Sequence, residues 1–263
     1  MIQFECPYQF QDKTPAQSRA FGRSIYLLEQ AGQYYWLKLQ CADGNAQFQQ
    51  GFLSEIDFYR QLQNVQPTFL LSSQYYPELN VPELTQSAQA LVLPHVPKLF
   101  ISPNQLSFSQ VIQRIDRALK QLDVLHTLGY VHGDIKASHF RYADDQVFLI
   151  DFEQTQPIHF SSSVLNATPR YMAPELFHAQ KKTIQTDLYA FGIVLFEWLT
   201  QTRLSSKSYL DWAIFHCQTS VLDLPEHWKA LQTCLNGLLA RDYQHRFMSA
   251  KQASLCLKTI NMY

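Results

Sequence analysis

Apolar and polar residues alternate in short runs along the first third of the chain. Ser24–Glu29 and Gln33–Cys41 are rich in Tyr, Ile, Leu and Trp, with Ala31-Gly32 between them. Such runs on either side of a glycine-containing turn predict an antiparallel hairpin. From Phe48 the period changes, and Phe48, Phe52, Ile56, Tyr59 and Leu62 recur at helical spacing. Thr68–Leu71 and Ala88–Leu93 predict two further strands. Pro94-His95-Val96-Pro97 then breaks the pattern and marks a linker.

Beyond the linker, Ser107–Leu128 reads as a long amphipathic helix. Val111, Ile115, Ala118, Leu122 and Leu125 share one face, and Gly129 is the stop signal. Val147–Ile150 predicts a short strand, and helices dominate from Pro174 onward. The longest apolar stretch, Leu188–Leu199, contains Glu197 and is too short to cross a bilayer, so it predicts a buried helix and no membrane insertion. The expected fold class is α+β. It has a small β-rich lobe (1–93), a hinge (94–97) and a larger helical lobe (98–263), forming one domain of 263 residues.

A hydrophobic content of 46% excludes wholesale disorder. A net charge of −1 gives no electrostatic case for nucleic acid or an anionic membrane. Cys6, Cys41, Cys217, Cys234 and Cys256 are odd in number and lack a C-x-x-C pair, which argues against a disulfide scaffold or a cysteine zinc site. The expectation is buried thiols in a reducing cytoplasm. Met1–Phe10 shows no basic region followed by an apolar run, so no signal peptide is expected.

The chemistry concentrates in Val131-His132-Gly133-Asp134-Ile135-Lys136-Ala137-Ser138-His139-Phe140 and, seventeen residues after Asp134, in Leu149-Ile150-Asp151-Phe152-Glu153. Two carboxylates at loop edges suit phosphoryl transfer, one accepting a hydroxyl proton and the other holding a divalent cation on the phosphates. Lys136 can steady the transferred charge. Lys38 lies in an apolar strand and must snorkel or find a partner. Glu55, in the following helix, is the candidate.

These residues resemble a eukaryotic-type Ser/Thr protein kinase domain along the whole chain. Leu37-Lys38 resembles the strand-lysine motif and Glu55 the helix glutamate. His132-Gly133-Asp134-Ile135-Lys136 resembles the catalytic loop, and Asp151-Phe152-Glu153 the metal-binding D-F-G. Thr168-Pro169-Arg170-Tyr171-Met172-Ala173-Pro174-Glu175 resembles the close of an activation segment. Asp187 resembles the acid that braces the catalytic loop, and Arg246 the late arginine that pairs with the A-P-E glutamate.

The resemblance implies a bilobal fold using ATP and Mg²⁺, with Mn²⁺ as the alternative, and acting on a protein substrate. It implies Asp134 as catalytic base, Lys136 as phosphate-steadying lysine and Asp151 as metal ligand. Lys38, positioned by Glu55, would reach the ATP phosphates under the loop closed by Gly22. Leu93 would border adenine, with the Pro94 carbonyl and the Val96 backbone as its partners. Pro94 loses only an N–H that adenine does not need.

Four departures accompany the likeness. The glycine-rich loop, aligned on Gln17–Gly22, keeps only Gly22, and the nearby Arg19 and Arg23 are expected on the solvated surface, with replacement of the lost phosphate contacts by their charge as the alternative. His139 stands where the second metal-binding Asn is usual, and could be a metal ligand or a structural histidine. The His139-Phe140 pair resembles lipopolysaccharide-core kinases. Glu153 replaces the D-F-G glycine, restricting the segment or joining a metal shell. Gly133 replaces the catalytic-loop arginine, so activity is expected without activation-segment phosphorylation, although Ser161–Ser163 and Thr168 remain modifiable. His-Gly-Asp also occurs in aminoglycoside and choline kinases, which lack the A-P-E segment. Lys136 favours Ser/Thr over Tyr specificity. The alternatives are a pseudokinase serving as a binding module, and a small-molecule or lipopolysaccharide sugar kinase.

Overall fold

The computed structural model describes residues 2–20, 22–41, 46–81, 88–160, 167–218 and 222–260. Ser161–Ser163 and Phe21 of the glycine-loop alignment lie outside them. Internal contacts divide the chain into two compact units, Met1–Pro97 with Asp151–Glu153, and Lys98–Ile150 with Gln154–Tyr263.

The first unit is a five-stranded antiparallel sheet with two helices. Its elements are β1 (Gln9–Asp12), α1 (Ala16–Ala20), β2 (Arg23–Gln30), β3 (Gln33–Gln40), α2 (Ala46–Leu62), β4 (Gln74–Leu79) and β5 (Ala88–Pro94). The sheet order is β1-β2-β3-β5-β4. The predicted hairpin is β2–β3, and its turn uses positive φ at both Ala31 (52°) and Gly32 (74°). Lys38 lies opposite Ile25 on one side and Leu91 on the other, so it sits on the central strand with both edges paired. Leu28, Leu37, Leu39, Ala90 and Val92 form the core on one face of the sheet. The helical period read from Phe48 onward is α2, with Phe52, Ile56, Tyr59 and Leu62 buried.

Thr68–Leu71 does not form the expected strand. Leu70 is a single bridge residue in a turn closed by its N–H donating to the Pro67 carbonyl. Phe69 is fully buried beside the ring of Phe152, so its hydrophobicity marks a plug rather than a sheet position. The fourth strand forms instead at the more polar Gln74–Leu79, which pairs with β5 along an irregular register.

The second unit is mainly helical. It contains α3 (Phe108–Thr127), β6 (Tyr130–Val131), β7 (Phe140–Ala143), β8 (Gln146–Leu149), β9 (Gln156–Pro157), α4 (Pro174–Phe177), α5 (Ile184–Thr200), α6 (Tyr209–Gln218), α7 (Gln232–Leu239) and α8 (Ala250–Ile260). Ser107 caps α3 through a capping box with Gln110, and the predicted apolar face is the buried one. After Leu128 the chain turns at Gly129, with φ of 88°. α5 is buried nearly all round, as the apolar run over Leu188–Leu199 predicts. Among the described residues, no helix is long and apolar enough to cross a membrane. The cysteine expectation needs correcting: Cys234 alone is buried, Cys6 is exposed and the other three are intermediate. Hydrophobicity of the thiol does not by itself place it inside.

Candidate active site

In the first unit, three carboxylates converge on Lys38. Its Nζ lies 2.6 Å from Glu55 Oε2 and 3.0 Å from Asp151 Oδ1, and it also pairs with Glu153. Glu55 is carried inward because α2 places it on the same face as Phe52, Ile56 and Tyr59, and its side chain is 1% exposed. Burial would drive the Lys38 ammonium towards neutrality, but Asp151, Glu55 and Glu153 outweigh it and hold the pKa above the usual lysine value. Burial raises the Glu55 carboxyl above its ordinary value, with Lys38 opposing. The second oxygen of Glu55 accepts the Phe152 N–H at 3.1 Å.

The Asp151–Glu153 segment is anchored by aromatic packing as well as charge. Phe152 is fully buried, with ring centroids 4.5 Å from Phe58 and 5.4 Å from Tyr59. Asp151 adopts φ of 69°, a left-handed conformation uncommon outside glycine and frequent at working sites. Glu153 forms an ion pair with Arg23. Arg23 is 7% exposed, donates twice to Gln40 Oε1 at 3.2 and 3.1 Å and once to the Phe48 carbonyl at 3.0 Å. The expectation of a solvated Arg23 is therefore corrected: a partly buried acid at position 153 pairs with the guanidinium. Arg19 does lie on the surface, 2.6 Å from Asp12.

Carboxylate oxygens of Glu55, Asp151 and Glu153 lie within 4.8 Å of one another. This all-oxygen set fits a hard cation such as Mg²⁺, and Lys38 stands among the three acids as an internal counterion.

In the second unit, a tight loop carries Asp134. One carboxylate oxygen accepts from Lys136 Nζ at 2.7 Å and the other from the Thr168 hydroxyl at 3.0 Å. Asp187, near the start of α5 and 2% exposed, braces the loop. Its oxygens accept the backbone N–H of His132 at 2.7 Å and of Gly133 at 2.9 Å, and His126 Nε2 lies 3.0 Å away. Burial pushes the Asp187 carboxyl up, but these partners outweigh it and hold it below its ordinary value.

Gly133 is required by two constraints. Its φ is 75°, and an added Cβ would meet the Gln154 carbonyl oxygen at 2.5 Å and Lys182 Nζ at 3.0 Å. Lys182 itself is 6% exposed. Burial lowers its pKa, while Asp134 and Asp187 pull the other way. The sequence reading did not single out Lys182, since a lysine in a polar loop resembles a surface residue. Thr168 appeared there in the activation-segment likeness and as a modification position, not as a partner of Asp134.

His139 ends a short 3₁₀ turn over Ala137–His139 and is 5% exposed. Its ring stacks on His132 with centroids 5.5 Å apart, its N–H donates to the Lys136 carbonyl, and its carbonyl accepts the Ile150 N–H. Arg246 makes the paired contact with Glu175, at 2.7 and 3.1 Å, its side chain wholly buried.

The remaining predicted nucleotide contacts lie at strand ends of the first unit. Leu93 is buried opposite Trp36, and Pro94 closes β5 opposite Tyr35. Val96 follows the strand and is half-buried, while Trp36 Nε1 bonds His95 Nδ1 at 2.9 Å. Gly22 has φ of 77°, and its carbonyl accepts the Cys41 N–H.

The protein kinase domain family model matches residues 41–256. This chain belongs to the protein kinase domain family. The chain is 27% identical over 166 residues to a probable serine/threonine-protein kinase PknB of Lactococcus lactis, covering 59% of this chain and 26% of that protein. It is 28% identical over 156 residues to the serine/threonine-protein kinase PknG of Mycobacterium leprae, covering 57% of this chain and 19% of that protein. A probable serine/threonine-protein kinase of Dictyostelium discoideum is 32% identical over 101 residues, covering 37% of this chain and 8% of that protein. The chain thus spans about a quarter or less of the length of these curated relatives. Membership agrees with the β-rich first unit and helical second unit, and the fold is the bilobal protein-kinase fold.

Proposed function

We propose that the protein is an ATP-dependent serine/threonine protein kinase, transferring the γ-phosphoryl group of ATP to a protein hydroxyl. The observation that carries this reading is the buried Lys38–Glu55 pair with Asp151 on the same ammonium. A triad of this charge pattern has little reason to persist in an interior position unless it handles a polyanion. Lys38 meets the ATP phosphates, Glu55 aims it, and Asp151 holds the divalent cation. A bound Mg²⁺ or Mn²⁺ supplies charge neutralisation on the phosphates. Asp134 accepts the acceptor hydroxyl's proton, oriented by its bonds to Lys136 and Thr168. Lys136 then balances charge on the group in flight. Leu93, Pro94, Val96 and Gly22 contribute the adenine and phosphate surroundings. His139 is a candidate nitrogen ligand, a role imidazole fills better for Mn²⁺ than for Mg²⁺.

One observation favours a second reading, a pseudokinase acting as a binding module. Glu153 pairs with both Lys38 and Arg23, so an internal acid already occupies the ammonium that phosphate would need. Incorporation of labelled γ-phosphate into a generic protein, with Mg²⁺ and Mn²⁺ in parallel, separates the two. The kinase reading expects label on serine or threonine in at least one metal. Nucleotide binding with no label in either metal establishes the pseudokinase instead.

A further inference from the structure

The catalytic loop of the second unit opens onto a cleft of about 740 Å³. Lys136, Ala137 and Ser138, which follow Asp134 directly, line it together with Thr168, whose hydroxyl is bonded to Asp134. Anything occupying this cleft therefore lies beside the proposed base.

The charge of the cleft is one-sided. Its cationic lining is Lys98, Lys136, Arg170 and Arg203, against the single acid Glu197. That acid is engaged internally. One oxygen accepts the Leu204 N–H at 2.7 Å and lies 3.8 Å from Arg170 Nε, and the other accepts the Tyr171 hydroxyl at 3.0 Å. Lys136 is likewise matched by Asp134 at 2.7 Å. Lys98 and Arg203 are exposed, and neither is ion-paired among the described residues. Two cations are thus left over on the rim, with no acid available to attract a basic side chain. Trp198 and Trp212 are also in the lining and add apolar surface against which an extended peptide can pack.

We infer that this cleft selects a protein segment carrying acidic residues next to the phosphorylated serine or threonine, with Lys98 and Arg203 as its specificity-determining contacts. The inference rests on the kinase reading above and adds the substrate class. Uncompensated cations at the rim reward carboxylates and repel basic flanks, and both effects weaken as salt screens them.

The test uses three peptides that share one serine and differ only in flanking residues, which are Asp, Asn or Lys. The wild-type protein should show kcat/KM for the acidic peptide about tenfold above the neutral one at low salt, expressed in KM. In a Lys98→Glu, Arg203→Glu double variant the order should reverse, with the lysine-flanked peptide best. Arg203→Gln should fall between. Lys258→Glu makes a like charge change on α8, outside the cleft, and should keep the wild-type ratio. Equal use of the acidic and neutral peptides, or an acidic preference that survives the double variant, overturns the inference.

Turnover of none of the three would count against the kinase reading itself. Fluorescence anisotropy of the labelled acidic peptide then decides on the cleft alone. Salt-sensitive binding that the double variant loses supports it, and no binding by wild type overturns it. Labelling of an anionic saccharide, with no peptide bound, also overturns it.

Discussion

Arg23 and Glu153 form a largely buried ion pair across 130 residues of sequence. The pair exists because the third position of the Asp151-Phe152-Glu153 segment is an acid rather than the glycine of D-F-G, and a largely buried acid needs a cation. Gly51 of α2 packs beside it, and a Cβ there would lie 3.4 Å from Glu153 Oε2, an ordinary van der Waals contact. Arg23→Met should therefore destabilise the protein by about 1–3 kcal/mol, because it leaves Glu153 with Lys38 as its remaining cation and removes the hydrogen bonds to Gln40 and the Phe48 carbonyl. The Arg23→Met, Glu153→Gln double variant should recover part of that loss. Urea unfolding of the four proteins in a double-mutant cycle measures the coupling, and additive losses would mean that the pair is not a unit.

The same contact bears on nucleotide affinity. Glu153→Gln keeps the side-chain volume but releases Lys38 and Arg23 from one of their acids. ATP should then bind several-fold tighter, by calorimetry, than it binds wild type. Unchanged or weaker binding would show that Glu153 helps to hold the nucleotide rather than competing with it.

Gly133→Ala should lower stability by about 2–3 kcal/mol, combining a positive φ with a backbone clash. Adding Lys182→Ala should give little relief, because the nearer obstacle, at 2.5 Å, is the Gln154 carbonyl oxygen. Thermal and denaturant unfolding would check both, and full rescue by Lys182→Ala would show that side-chain crowding alone decides.

Stability should fall between pH 6.5 and about 4 because of His216, whose imidazole is pushed down to about 4 by burial, with the Pro169 and Arg170 carbonyls opposing. The unfolded chain protonates this histidine near its ordinary value while the folded chain resists. In that window the unfolded state binds more protons, and stability drops as pH falls. The full shift corresponds to about 3 kcal/mol. Asp187, held below its ordinary carboxyl value, adds its own loss only at lower pH. His216→Gln should flatten the profile in urea midpoints taken across the window, and an unchanged slope would assign the effect elsewhere.

What could be read from the sequence was what depends on local period and on spacing between charged landmarks. The amphipathic face of α3, the β2–β3 hairpin, the Lys38–Glu55 pair and the Glu175–Arg246 pair were all legible there. What escaped depends on partners far apart in the chain. Arg23 resembles any exposed arginine until Glu153 is known to be buried beside it, and Lys182 resembles a loop lysine until it is seen covering Gly133. Phe69 misled in the opposite direction: its apolar run serves packing against Phe152, while the strand forms in Gln74–Leu79, where backbone pairing outweighs composition.

In the proposed kinase reaction, Asp134 takes a proton while ATP is held by other groups. The most direct test of this role compares Asp134→Asn with the wild type, measuring γ-phosphoryl transfer to a serine peptide alongside ATP affinity. Transfer should fall by about 10²–10⁴-fold while affinity stays within about twofold. Undiminished transfer by Asp134→Asn would contradict the account.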